Sequence, residues 1–377
     1  MNIAYVIGSL NAHGGVERII ADKANELSKE QDINVYILSL SGDPAKPLVY
    51  QLDERVRLVY AGCIFDPGNT GFKKNPIMFG IKWLRWHYRQ RKAIYRFVKE
   101  NRIELIIYPT HLAHNLPVRP GCHLILESHT NRSHTNFHRP WNFKRRLRAA
   151  KELVTLTTND SKQWTDAKSV NVIPNFTKIK PVAHYNPDTR KIMAAGRLSP
   201  EKGFDVLIEA WKLVAPQHPD WSLDIYCVPF SINIADMQSR IDRAALRTCV
   251  KLCNPTTDMA KSLSEHSLYV MSSRYEGLPL VLIEAMACGV PCVSFDCPEG
   301  PSEIITDGED GWLVPFRGLS DEERADALAD ALCDAIANRE KRIKFSESGL
   351  SSVKRFSPEV IIPKWIELFK SLTDSKK

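Results

Sequence analysis

The chain has 377 residues, 44% hydrophobic and 25% charged, with a formal net charge of +7. That length and composition allow substantial cores in two domains, and no stretch approaches the about twenty apolar residues that a membrane helix needs. The charge is uneven: residues 1–180 carry 28 Lys and Arg against 15 Asp and Glu, a balance of +13, which leaves −6 for the rest.

The opening MNIAYVIGSLNAHGG lacks the basic region and cleavage site of a secretory signal and reads as a first buried strand. Short apolar strands then alternate with helical patterns: 3–7, a helix over 16–27, 34–40, 57–60, a basic helix over 77–101, 105–108 and 123–126. The rhythm continues through 153–157 and 170–174, crosses a polar stretch at 181–189, and resumes at 191–195, 222–226, 268–271, 291–295 and 311–314. Such alternation predicts parallel sheets with crossover helices, an α/β chain of two doubly wound domains. The polar stretch is the linker candidate, giving an N-terminal domain over 1–180 and a C-terminal one over 181–355. A closing helix is expected over 356–372, with Ser357 as N-cap and Pro358 at its first position. Each sheet would align strand C-termini and helix N-termini along one edge, and two such edges facing each other would form a cleft.

Nine cysteines without a disulfide-like arrangement read as reduced thiols in the cytoplasm. Cys288 and Cys292 sit in apolar sequence, without a CxxC or a nearby histidine pattern, and are expected in the core; no metal is expected.

Four segments can carry chemistry. In RYEGLPLVLIEAMACG, 274–289, Pro279 suits a helix start and Gly289 a left-handed end, so Glu276 lies in the loop at the helix N-terminus and Glu284 inside the helix. A helix start with Gly277 beside it attracts anions, whereas a carboxylate there suits sugar hydroxyls; alternatively Glu276 stabilises the helix dipole and Glu284 is a solvated face residue. In KIMAAGRLSPEKGFDVLIEAW, 191–211, a strand leads through Gly196, Arg197, Lys202 and Gly203 into a helix near Phe204. Two cations and helix N–H groups could stabilise a leaving diphosphate, though neither an ATP P-loop nor a dinucleotide fingerprint is present. Gly14 and Gly15 separate the first strand from the first helix, as a tight turn or as backbone N–H groups offered to a ligand. His129 follows a strand and could face a ligand or be structural. His134 and His138 give no ligand pattern.

Taken together, GGVERI, VIPNF at 172–176, AAGRLSPEKGFDVLIEA and SSRYEGLPLVLIEAMACGVPCVSFDCPEGPSEIITDGEDGWLVP resemble the GT4 glycosyltransferases, retaining enzymes of the GT-B fold. The resemblance covers nearly the whole chain in order, and its most specific part is the E-x7-E element, matched by Glu276 and Glu284. It implies that Arg197 and Lys202 bind the diphosphate of a nucleotide sugar, Glu276 the sugar hydroxyls and Glu284 the ribose. Gly277, Leu278 and Pro279 would line the donor site. His129 would lie near the sugar, and Gly14 and Gly15 near the phosphate and acceptor. It further implies that the last helix crosses back to the first domain, and that transfer is same-face, with cations and helix N–H groups in place of a metal; no Asp-x-Asp occurs in the chain. Relatives often carry Gly-x-Gly where this chain reads Tyr226-Cys227-Val228-Pro229, and KLCNPTTDM replaces a glycine-containing turn. Both changes fall at the nucleobase, for which UDP is the default expectation.

The acceptor is expected to be a glycan or a lipid-linked glycan of surface polysaccharide assembly. The basic, aromatic segments 73–102 and 139–151 suit an anionic membrane surface at the inner face of the cell membrane, or else a solvated helix packed on its core. Nucleic acid is not expected, because no recognised binding module accompanies the charge. Two rival readings are a glycoside hydrolase using the two glutamates, for which Arg197 and Lys202 have no task, and a nonenzymatic sugar-nucleotide or membrane-binding scaffold.

Overall fold

The computed structural model describes residues 1–11, 14–65, 75–110, 121–130, 132 and 140–374. The chain divides into two compact units, Met1–Pro174 with Ile361–Lys377, and Asn175–Val360.

The first unit has strands β1 (Asn2–Ile7), β2 (Asn34–Ser39), β3 (Arg57–Tyr60), β4 (Leu105–Pro109), β5 (His123–Glu127), β6 (Glu152–Thr155) and β7 (Val170–Val172). Its helices are α1 (Gly15–Leu27), α2 (Pro76–Glu100), α3 (Pro140–Ala149) and α4 (Thr158–Ser161). The sheet is parallel in the order β3-β2-β1-β4-β5-β6-β7. Ile3 to Ile7 and Leu105 to Tyr108 are buried without interruption, as strands covered on both faces require. Helix α1 buries a stripe at Ile19, Ile20, Lys23, Ala24 and Leu27, a helical spacing with one cation in it.

The second unit has β8 (Lys191–Leu198), β9 (Ser222–Pro229), β10 (Val250–Cys253), β11 (Leu268–Met271), β12 (Cys292–Phe295) and β13 (Trp312–Val314) in the order β10-β9-β8-β11-β12-β13. Around them run α5 (Phe204–Val214), α6 (Ile234–Arg243), α7 (Met259–Ser264), α8 (Leu280–Ala287), α9 (Pro301–Ile304), α10 (Asp321–Ala337) and α11 (Arg339–Ser352). A last helix, α12 (Pro358–Asp374), has the unit boundary inside it, between Val360 and Ile361, and buries Trp365 and Phe369.

Two features differ from the sequence expectation. Strand β8 runs on from Ala195 to Leu198, because β9 pairs with it residue for residue up to Pro229 and the ladder overrides the weak strand propensity of Gly196. Strand β10 was not foreseen: only four residues long at a sheet edge, with Lys251 exposed, it has no pattern long enough to read. The polar stretch 181–189 is tied to the second unit. Tyr185 donates its hydroxyl to Ser267 O at 2.8 Å, Arg342 donates to Pro187 O at 3.0 Å, and Arg339 grips Asp188 through two bonds.

All nine cysteines are free. Cys288, Cys292 and Cys297 lie in the core, and burial pushes the Cys288 thiol up to about 12.

Candidate functional site

In each sheet the strand order reverses once, between β1 and β4 in the first unit and between β8 and β11 in the second. At such a switch point the loops leaving the two strands diverge to opposite faces and open a crevice at the strand C-termini. In the second unit those loops are 199–203 and 272–279, so segments some seventy residues apart in sequence meet because of topology.

The two loops are joined by hydrogen bonds to the backbone of the first. Ser272 Oγ donates to Lys202 O at 2.9 Å, and Arg274 N donates to Glu201 O at 2.8 Å. Gly203 has a left-handed backbone, φ 63°, and a Cβ there would stand 2.0 Å from Ser272 O, so only glycine admits this approach. The Arg274 guanidinium completes the clamp, with bonds of 2.7 Å to Pro200 O, 2.8 Å to each Asp205 oxygen and 2.6 Å to Asp321. Burial pushes the Asp205 carboxyl up, but hydrogen bonds from Arg274 outweigh it and hold the group below the usual carboxylate range.

Within this frame Lys202 Nζ donates to Glu276 Oε1 at 2.6 Å, and Ser273 Oγ donates to the same oxygen at 2.6 Å. Both charged side chains are partly buried, so the pair keeps contact with solvent. Arg197, at the end of β8, is exposed, with its guanidinium 4.6 Å from the Phe230 ring centroid and 3.5 Å from Glu201 Oε1. Pro279 caps α8 and Leu278 is buried beneath it. Gly300, φ 95°, fits against this corner: a Cβ would lie 2.6 Å from Pro279 Cδ and 2.7 Å from Gly277 O. Glu284 is buried on the second turn of α8 and is therefore no solvated face residue. Chemically, a partly exposed ammonium, an exposed guanidinium and two helix starts suit an anion, while the Glu276 carboxylate suits hydroxyl donors.

In the first unit Gly15 opens α1, and a Cβ on it would meet nothing within 4 Å. The Gly14 N–H is not offered outward; it donates to Tyr50 OH at 3.3 Å, and the Tyr50 hydroxyl lies 3.1 Å from Gly14 O. The His129 imidazole is almost enclosed, with Nε2 3.6 Å from Glu127 Oε2. His134 and His138 lie outside the described residues.

Sequence reasoning missed Arg274, Ser272, Ser273, Gly300, Phe230, Tyr50, Lys23 and Glu127. A signal existed for Lys23, a cation on the buried stripe of α1, and for Glu127, a carboxylate ending an apolar strand. None existed for Arg274, whose partners are distant in sequence.

Residues 189–338, the strands and loops just described, match the family described as glycosyl transferases group 1. The likeness to that family covers this region of the chain. Over the longer chain, an uncharacterized glycosyltransferase of Haemophilus influenzae is 24% identical, the match covering 96% of this chain and 98% of that one. The amylovoran biosynthesis glycosyltransferase AmsD of Erwinia amylovora is 30% identical over 58% of this chain and 62% of its own, so that match spans less than two thirds of the relative. The solved structure of Anabaena HepE in complex with UDP and glucose has a TM-score of 0.74 at 17% identity, covering 98% of this chain and 100% of HepE. The fold is therefore that of the GT-B glycosyltransferases, and the region matching the family model is the one holding Lys202 and Glu276.

Proposed function

We propose that the protein is a retaining, metal-independent GT4 glycosyltransferase. In this reading it moves a hexose or N-acetylhexosamine from a nucleotide sugar, UDP-linked, to a glycan or lipid-linked acceptor in surface polysaccharide assembly. The observation that carries this reading is the contact between Lys202 and Glu276, which joins a cation suited to phosphate and a carboxylate suited to hydroxyl groups at one switch point. Bound donor would take Lys202 and Arg197 onto its diphosphate and Glu276 onto its sugar hydroxyls, with Gly277, Leu278 and Pro279 along one side and Glu284 toward the ribose. As the glycosidic bond breaks, charge grows on the diphosphate, and the two cations and the helix N–H groups stabilise it there. Same-face attack by the acceptor hydroxyl on the oxocarbenium-like centre then retains the anomeric configuration. In the same reading His129 serves the donor sugar, and Gly14 and Gly15 the phosphate and acceptor.

HepE was solved with UDP and glucose, which favours UDP as the carrier here. Thermal unfolding in the presence of a panel of UDP- and GDP-sugars tests the donor: a rise with one UDP-sugar is expected, and no rise across the panel rejects the reading. With that donor, Glu276→Gln and Lys202→Ala each lower kcat/KM by about a hundredfold or more, whereas Lys212→Ala on exposed α5 surface leaves it unchanged. A hydrolase reading finds no support, because the matching family and relatives are described as glycosyltransferases.

Localisation at an anionic membrane surface belongs to the same proposal. No described helix is long and apolar enough to cross a membrane. Helix α2 exposes Ile77 (76%), Leu84 (62%) and Tyr88 (67%) at helical spacing, while His87, Gln90, Ile94, Phe97 and Val98 face inward. An apolar stripe among Lys82, Arg85, Arg89 and Lys92 has the chemistry of a helix lying in a lipid headgroup layer.

A further inference from the structure

Lys23 occupies a position on α1 where the helical period calls for an apolar residue. Its side chain is 1% exposed, its ammonium is bonded to Glu127, and the rings of Trp365 and Tyr5 lie 4.7 Å and 5.5 Å from it. The Glu127 side chain, also 1% exposed, ends β5, and its second oxygen points at His129 Nε2 across 3.6 Å. Those two facing atoms have no other hydrogen-bond partner among the described residues. At 3.6 Å the contact is electrostatic, and a small approach turns it into a charge-assisted hydrogen bond.

Three ionisable side chains from α1, β5 and the loop beyond thus form one enclosed row, walled by aromatic rings from β1 and α12. Burying an ion pair is a poor way to gain stability, since apolar residues of similar volume serve as well or better. Packing alone therefore gives no reason for Lys23 on this stripe. Burial pushes the Glu127 carboxyl up, yet Lys23 and His129 together outweigh it and keep the group ionised. Tyr5 stays neutral, its phenol pushed up by burial and by Glu127. Beyond Ser128, Asp160 of α4 is occupied by Arg132 N and Trp164 Nε1.

We propose that Lys23 and Glu127 are positioning residues for His129: Lys23 aims the Glu127 carboxylate, which claims Nε2 of the imidazole and so leaves Nδ1 as the nitrogen available to a ligand. The pair sets the tautomer of the one imidazole that the functional reading assigns to the donor sugar, and in its ligand the inference rests on that reading.

The test needs no donor. Imidazole 15N signals of the full chain report the tautomer, with His129 assigned from the signal lost in His129→Gln. Removing the anion in Glu127→Gln should abolish the preference for Nε2–H. Lys23→Met, which takes away the cation that aims the carboxylate, should weaken that preference. The double variant Lys23→Met/Glu127→Gln carries no buried charge from this pair, keeps the fold where a single change unfolds it, and should lose the preference as Glu127→Gln does. An unchanged tautomer in folded Glu127→Gln and in the double variant would overturn the proposal. Once a donor is known, kcat/KM should fall with the loss of the preference. A lost preference with an unchanged kcat/KM upholds the row and removes His129 from the donor reading.

Discussion

At Gly300, a left-handed backbone and two close neighbours impose the same residue type. Alanine there would strain the backbone and press on Pro279 and on the Gly277 carbonyl, the corner from which Glu276 projects. Gly300→Ala is expected to cost on the order of 1–3 kcal/mol in urea unfolding and to weaken the donor response in the folded fraction. Gly300 and Gly203 were both visible as letters, but what they fit against was not, because Ser272 O and Gly277 O come from elsewhere in the chain. Glu276, Glu284 and Lys202 were legible for the opposite reason: each sits at a fixed distance from a helix start that Pro279 or Gly203 announces. Lys23 lay between these cases, since its place on a buried stripe is written in the period of α1 while its partner Glu127 is about a hundred residues away.

Helix starts and strand runs carry their own local information, and most elements follow from it. Helix α10 begins with a reciprocal capping box in which Glu323 N donates to Ser320 Oγ at 3.2 Å and Ser320 N donates to Glu323 Oε2 at 2.7 Å. Ser320→Ala should therefore lower stability by about 1 kcal/mol, read as a shift of the denaturant midpoint at constant slope. Strand ends were less legible than helix starts, as β8 and β9 show: their last residues are held by each other, a condition no local window contains. Helix α2 offers the sharpest test of an element. Replacing Ile77, Leu84 and Tyr88 together by Ser should abolish co-sedimentation with phosphatidylglycerol vesicles and leave the thermal midpoint nearly unchanged, because these side chains are exposed. Parent protein that ignores such vesicles at low salt would remove the membrane from the functional reading.

For the whole molecule, topology decides more than any segment. The two-sheet architecture was legible from alternation alone, yet the strand orders that place the switch points came only with the structure. Charge also separates by unit, and several carboxylates of the acidic half are paired with cations or imidazoles. Hydrogen bonds from Arg274 keep Asp321 below its ordinary range, His266 does the same for Asp224, and Lys341 for Asp334. A carboxylate depressed in the folded state contributes stability that is present above its unfolded value, about 4, and is lost as pH falls through the folded value. Urea midpoints should accordingly decline below about pH 4, and Asp205→Asn should flatten that decline by removing one of the titrating partners.

The contact between Lys202 and Glu276 has a consequence for which molecules the crevice accepts. Its ammonium is already answered by a carboxylate 2.6 Å away, so a lone inorganic anion must compete with a tethered rival present at a constant local concentration. Capturing Lys202 would also leave that carboxylate without its cation. A molecule bearing both phosphate and hydroxyl groups replaces the two halves of the contact in a single event. On the proposed reading, this self-neutralisation biases the site toward intact compounds over their fragments.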